Sequence, residues 1–101
     1  MIKLRINVPR HSVEAFCSKW RIVEFAFFGS VLREDFGPDS DVDVLVTFAL
    51  DSHWSAFDIV DMIDELKGIF GRDVDLVEKD AIRNPFRRHA ILSSYEVFYA
   101  A

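Results

Sequence analysis

The run DVDVLVTF, Asp41 to Phe48, limits what this chain can fold into more than any other stretch. It is β-branched and apolar, which reads as a strand, yet it holds two aspartates separated by one residue. Side chains alternate along a strand, so Asp41 and Asp43 project together, with about 6–7 Å between their Cα atoms, while Val42, Val44 and Val46 face the core. Adjacent carboxylates repel and raise one another's pKa unless a cation joins them. Mg²⁺ suits that place, because it takes one or two carboxylates together with substrate phosphates. A plainer explanation stays open: Asp39, Ser40 and Asp41 form a turn and Asp43 lies on a solvated face.

Around this run the pattern alternates. Pro9 followed by His11 and Ser12 marks a helix start with Ser12 as N-cap, and Val13, Phe16, Cys17 and Trp20 then fall at helical spacing. VEFAFF, Val23 to Phe28, reads as a strand ending at Gly29. Val31 to Phe36 fits a short helix broken by Gly37-Pro38. Between Ser55 and Phe70 the period becomes helical. Phe57, Val60, Ile63 and Phe70 line one side, supported by Ile59, Leu66 and Ile69, and Asp58, Asp61, Asp64 and Glu65 cover the other. Gly71 ends that helix. RDVDLVE, Arg72 to Glu78, is a third strand; a turn at Asn84-Pro85, a basic helical turn and YEVFYA, a strand or a frayed helix, complete the chain. Alternation of this kind implies an α/β (α+β) protein, one small mixed sheet with helices packed on it.

The 101 residues fit one domain spanning 1–101, and 50% hydrophobic content with ten Phe supplies its core. A net charge of -5 argues against nucleic acid as the main partner, but not against a nucleotide bound through a metal, and it suits a basic protein partner. Cys17 is the single cysteine, so no intrachain disulfide or thiolate zinc cluster is expected. His11, His53 and His89 lack metal-ligand spacing. MIKLRINVPRHS has no block long enough for a secretory signal, and no segment reaches the roughly 20 apolar residues of a membrane span, so the expected location is the cytoplasm.

Upstream of the acids, Gly29-Ser30 lies between a strand and the expected helix. There free amides and a helix dipole would attract an anion, and Gly lets a phosphate approach closely. Gly-Ser or Asp-x-Asp alone is weak. Gly-Ser, ten residues and then Asp-x-Asp occur together by chance in about one chain per thousand of this length.

GSVLREDFGPDSDVDVLV resembles the signature of the DNA polymerase β-type nucleotidyltransferase superfamily. With FGS, Arg33, SDVDVLV and GRDVDLV, the stretch from about Pro9 to Tyr99 resembles the minimal nucleotidyltransferase (MNT) proteins of prokaryotes. The resemblance implies a polymerase β-like fold. It gives Gly29 and Ser30 the triphosphate, and Asp41 and Asp43 the metal. A third carboxylate, from a neighbouring strand, would assist the metal and accept the proton of the attacking hydroxyl. Asp75 is favoured over Asp73, because it sits inside an apolar run. Arg33 reaches a phosphate or pairs with Asp35 or Glu34. Ser40, grouped with Gly29, Ser30 and Arg33 on the nucleotide side, suits positioning Asp41's turn better than chemistry.

The resemblance further implies ATP as substrate, two Mg²⁺ ions and a small helical HEPN-domain toxin as partner. AMP would pass to a tyrosine hydroxyl of that ribonuclease, making the chain its antitoxin. Two alternatives remain: a binding antitoxin without catalysis, and a nucleotidyltransferase with a small-molecule or nucleic-acid acceptor. A single domain of 101 residues is expected to leave no room for a second one over the site, so another chain, of the same or a different kind, is expected to cover it. Arg83, Arg87 and Arg88 read as surface charge; Phe86, Tyr95, Phe98 and Tyr99 are core or interface.

Overall fold

A computed structural model describes residues 6–101; the first five residues, part of the N-terminal stretch read above, lie outside them. The elements run α1 (Arg10–Lys19), β1 (Ile22–Phe28), a 3-10 turn (Gly29–Leu32), β2 (Val42–Phe48), α2 (Ala56–Phe70), β3 (Val74–Glu78), a second 3-10 turn (Lys79–Ala81), α3 (Pro85–Leu92) and β4 (Tyr95–Ala100). The sheet has the order β3-β2-β1-β4. β1 is antiparallel to both β2 and β4, and β2 is parallel to β3, the crossover between them being α2. The expected mixed sheet with packed helices is therefore present, and YEVFYA is a strand.

The larger core joins α1 and α2 to one sheet face, through Val13, Phe16, Cys17, Met62 and Leu66 against Phe25, Phe27, Val44 and Val46. Burial pushes the Cys17 thiol up to about 12, with Glu14 adding to the effect, which leaves an unreactive small hydrophobe. A smaller cluster covers the opposite face, where Ile91 of α3 meets Ala26, Phe28, Leu45 and Val77. Asp43 shares that second face with Leu45, so one helix shields the side the acids occupy.

Several expectations need correction. Ser12 is not the N-cap: α1 begins at Arg10 after Pro9, whose carbonyl already accepts the Val13 amide at 3.1 Å. Val31 to Phe36 does not form a helix. The chain makes a four-residue 3-10 turn and Arg33 is already extended, because a segment this short gains too few hydrogen bonds to offset nucleation.

In α2 the buried stripe is partly rotated: Ile59, Leu66, Ile69 and Phe70 pack on the core as expected, but Met62 joins them in place of Phe57 and Val60. Met62 and Leu66 are fully buried, whereas Phe57 is 84% and Val60 55% exposed. The helix carries two apolar stripes, and its crossing over the sheet selects one. Nor are all its acids mere solvated charge. Asp58 closes a capping box with Ser55, and Glu65 accepts from Trp20 Nε1 at 2.8 Å and Lys19 Nζ at 3.1 Å, tying α1 to α2.

The two faces of α2 predict opposite outcomes. Met62→Ala or Leu66→Ala should cost about 2–5 kcal/mol in urea denaturation. Phe57→Ser and Val60→Ser should each stay within about 0.5 kcal/mol of wild type. Equal losses on both faces would contradict this packing.

Candidate active site

β2 and β3 run parallel in a register that sets Asp43 directly beside Asp75. On its other side Asp43 is paired with Phe28, the last residue of β1, where the Gly29-Ser30 turn begins. Parallel partners project to the same face, so the two carboxylates stand abreast. Asp41 lies one residue before β2 and is exposed. The structure thus brings Asp75 to Asp43, while Asp73 points its carboxylate to Lys67 at 3.6 Å.

Asp43 is the electrostatic centre of this group. Burial raises its pKa above the ordinary carboxylate value of 3.8, and the charges of Asp75 and then Asp41 raise it further. A hydrogen bond from the Ser30 backbone amide and the Arg33 guanidinium pull the other way. Among the described residues, no three His, Cys, Asp or Glu side chains are already gathered as a metal-ligating cluster. The donor set still fits a hard divalent ion, which needs only one or two carboxylates when phosphate oxygens complete its shell.

Gly29 is required for a reason the sequence did not disclose. Its φ is +74°, in the left-handed region, and a Cβ there would fall inside the van der Waals shell of Asp43 Oδ2. The glycine makes room for a carboxylate of the chain itself. Ser30's amide is turned to that same carboxylate, and the 3-10 turn is too short to supply the expected helix dipole. Any phosphate held here therefore meets the turn and its side chains rather than a helix end.

Arg33 donates from Nε to Asp35 Oδ1 at 3.1 Å, and its charge still reaches Asp43. The Ser40 hydroxyl accepts from the Gly37 amide at 3.0 Å, closing the turn before Asp41. Sequence reasoning missed Arg72, which it took only as the first residue of the third strand. Its Nη1 donates to the carbonyls of Gly37 and Ser40 at 2.8 and 3.0 Å, and its guanidinium lies 4.5 Å from the Phe36 ring centroid. Arg72 thereby holds the loop that delivers Asp41. No residue pattern signals a side chain aimed at backbone carbonyls.

Two recesses border the acids. One, of about 450 Å³, is lined by Ser40, Asp41, Lys67, Arg72 and Asp73; the other, of about 250 Å³, by Asp75, Val77, Ile82 and Arg87. A further recess of about 460 Å³, around Phe48, His53 and Trp54, opens at the far end of β2.

This four-stranded mixed sheet with helices on both faces matches solved structures of the nucleotidyltransferase fold. The chain belongs to the nucleotidyltransferase domain family, whose model matches residues 10–98, and it is a nucleotidyltransferase enzyme. A Methanocaldococcus jannaschii protein provisionally named a protein adenylyltransferase is 36% identical over 86 residues, 84% of this chain and 85% of its own. The structure of a provisionally assigned minimal nucleotidyltransferase is 30% identical and superposes with a TM-score of 0.67, covering 88% of this chain and 86% of that one. The MNT antitoxin complex with a tri-AMPylated Shewanella oneidensis HEPN toxin superposes with a TM-score of 0.66 at 14% identity, over 91% of this chain and 70% of that one, a likeness of fold.

The crowding around Asp43 predicts a stability–pH signature. Its folded-state pKa is raised, so its contribution to stability is lost as pH rises from about 3.8 through that raised value. Without metal or nucleotide, Asp43→Asn should melt a few degrees above wild type at pH 7, and the gap should close as the buffer is acidified. A variant that melts below wild type at pH 7 would refute this. Gly29→Ala should cost about 2 kcal/mol or more in urea denaturation, from the left-handed backbone and the clash with Asp43; unchanged stability would mean the turn is misplaced.

Proposed function

We propose that this chain is a Mg²⁺-dependent adenylyltransferase, moving AMP from ATP to a tyrosine hydroxyl of a helical HEPN ribonuclease toxin and serving as its antitoxin. The observation that carries the proposal is Asp43 abreast of Asp75, with Asp41 close enough to raise its pKa and a glycine-serine turn at its back. The likeness to a provisionally named protein adenylyltransferase supports the class of reaction. The fold shared with the antitoxin of an AMPylated toxin supports the acceptor and partner.

In this reading the Gly29-Ser30 turn, with Arg33 beside it, holds the nucleotide's phosphates. Asp41, Asp43 and Asp75 hold the divalent metal. Bound there, a divalent metal would supply polarisation of the acceptor hydroxyl and neutralisation of charge on the departing pyrophosphate. Arg72 keeps Asp41 in place through the 37–40 loop. Asp75, at the outer end of the row, takes the acceptor's proton, which a phenol of pKa about 10 does not release unaided at neutral pH. The phenol oxygen bonds to the α-phosphorus, the α-phosphorus–bridging-oxygen bond breaks, and pyrophosphate leaves with the bridging oxygen. With little covalent work left to the protein, positioning accounts for most of its contribution.

The direct test is to incubate the protein with α-labelled ATP, Mg²⁺ and the helical companion, then weigh the companion intact. Gain of AMP on tyrosine is expected. Asp41→Asn and Asp43→Asn should each lower the transfer rate by about 100-fold or more, while the complex still assembles. Absence of transfer, or full neutralisation of the toxin by folded Asn variants, would leave complex formation alone as the antitoxin's means of action.

A further inference from the structure

In-line displacement puts the attacking and leaving oxygens on opposite sides of the α-phosphorus. If the phosphates lie at the Gly29-Ser30 turn, the acceptor enters from the other end of the acid row, at Asp75 on the edge strand β3. The recess there is bounded by α3, which places Arg87 Nη2 3.9 Å from Asp75 Oδ2.

The fold does not need Arg87 where it stands. Its side chain is 56% exposed and that of Asp75 52%, a pair that contributes little to stability. Other contacts seat α3. Asn84 caps its first turn, Ile91 is buried in the smaller core, and Arg88 donates to the Lys79 carbonyl at 3.2 Å. Charge is also distributed unevenly. Lys19, Arg21, Arg33, Lys67 and Lys79 each face a carboxylate of this chain. Among the described residues, Arg10, Arg72, Arg83 and Arg88 face none. Arg10 and Arg72 are each turned to backbone carbonyl oxygen and an aromatic ring. Arg83 and Arg88 instead stand with Arg87 in one short stretch, so 83–88 is a cationic edge on a chain with net charge -5. Phe86, 85% exposed, stands in the middle of it.

We propose that α3 reads the acceptor: Arg87, flanked by Arg83 and Arg88, selects a polypeptide whose reacting hydroxyl sits among acidic residues, and orients it against Asp75. This rests on the adenylyl-transfer reading and adds the chemistry of the segment that carries the tyrosine. A guanidinium next to the hydroxyl favours the oxyanion that attack requires, and Phe86 offers an apolar contact for the same segment. A short acidic segment needs few cations. A polynucleotide would bring far more charge against a net-negative protein, which favours protein over nucleic acid.

Binding and transfer are measured separately. Fluorescein-labelled peptides with tyrosine between glutamates, or between lysines, are titrated by anisotropy into the protein with Mg²⁺ and a non-hydrolysable ATP analogue. A single-stranded oligonucleotide serves as competitor. The acidic peptide should bind about ten-fold more tightly than the basic one. Arg87→Lys should keep most of that preference and Arg87→Ala weaken it. The Arg83→Glu, Arg87→Glu, Arg88→Glu triple variant should reverse it, with affinity for the ATP analogue within about two-fold of wild type. Circular dichroism checks that the variants fold. Equal affinity for the two peptides, a preference untouched by the substitutions, no peptide binding, or displacement by the oligonucleotide at lower concentration than by acidic peptide would each overturn the proposal. A charge preference that behaves as stated, without AMP transfer to any acceptor, would instead overturn the adenylyl-transfer reading.

Discussion

Two carboxylates held side by side across a parallel strand pair set the terms for the rest of this molecule. Neighbouring strands lie about 5 Å apart, so two charges at that spacing in an effective dielectric near 20 would repel by at most about 3 kcal/mol, and water around the exposed Asp75 lowers that further. Even a part of that is appreciable against the roughly 5–15 kcal/mol that holds a domain together. The chain tolerates it by burying the opposite faces of the same strands. Val42, Val44 and Val46 are essentially inaccessible, and α2 lies over them as the crossover that makes β2 and β3 parallel. The pairing that creates the electrostatic conflict also creates the core that withstands it.

The surroundings of Asp43 follow from this conflict. A left-handed glycine leaves space for its carboxylate, an amide donates to it, and a guanidinium lies within Coulombic reach. Each contributes a partial positive charge or simply room, and together they still leave the pKa raised. A site fully compensated by its own protein would have little affinity left for a cation and phosphates. The residual strain is the usual signature of a group kept for function rather than for folding.

Much of this could be read from the chain. DVDVLV announces a strand with its acids on one face, because strand periodicity is rigid and the valines leave no other choice. The partner of Asp43 was harder. By strand alternation Asp73 and Asp75 fall on the same side, and the structure separates them. Asp75 is paired with Asp43 inside β3, while Asp73 lies one residue before the strand and turns to Lys67. Register depends on how α2 spans the crossover, which no local pattern encodes. The partly rotated stripe of α2 has the same origin. Phe57 and Val60 are as apolar as Met62 and Leu66, and the choice between them is made by a helix crossing. The 3-10 turn after Gly29 escaped because Val31 to Phe36 has helical content but too little length, and Arg72 escaped because its partners are carbonyls common to every residue.

The cations divide into those committed to structure and those left at the site's margins. Arg72 is bound to two carbonyls and an aromatic ring, and Lys79 is shared between Glu24 and the Tyr95 hydroxyl, with a pKa raised first by that hydroxyl. Neither can turn to a ligand without undoing a loop or a strand contact. Arg33 and Arg87 are different, each held by one exposed carboxylate, one at the turn side of the acid row and the other at its β3 side. A row of acids with a loosely held guanidinium at each end has a direction built into it. In the proposed reaction one end would take the polyanionic tail of a nucleotide, and the other whatever approaches from the open edge of the sheet. A symmetric cluster of carboxylates would bind an ion equally well, but it would not distinguish a donor from an acceptor.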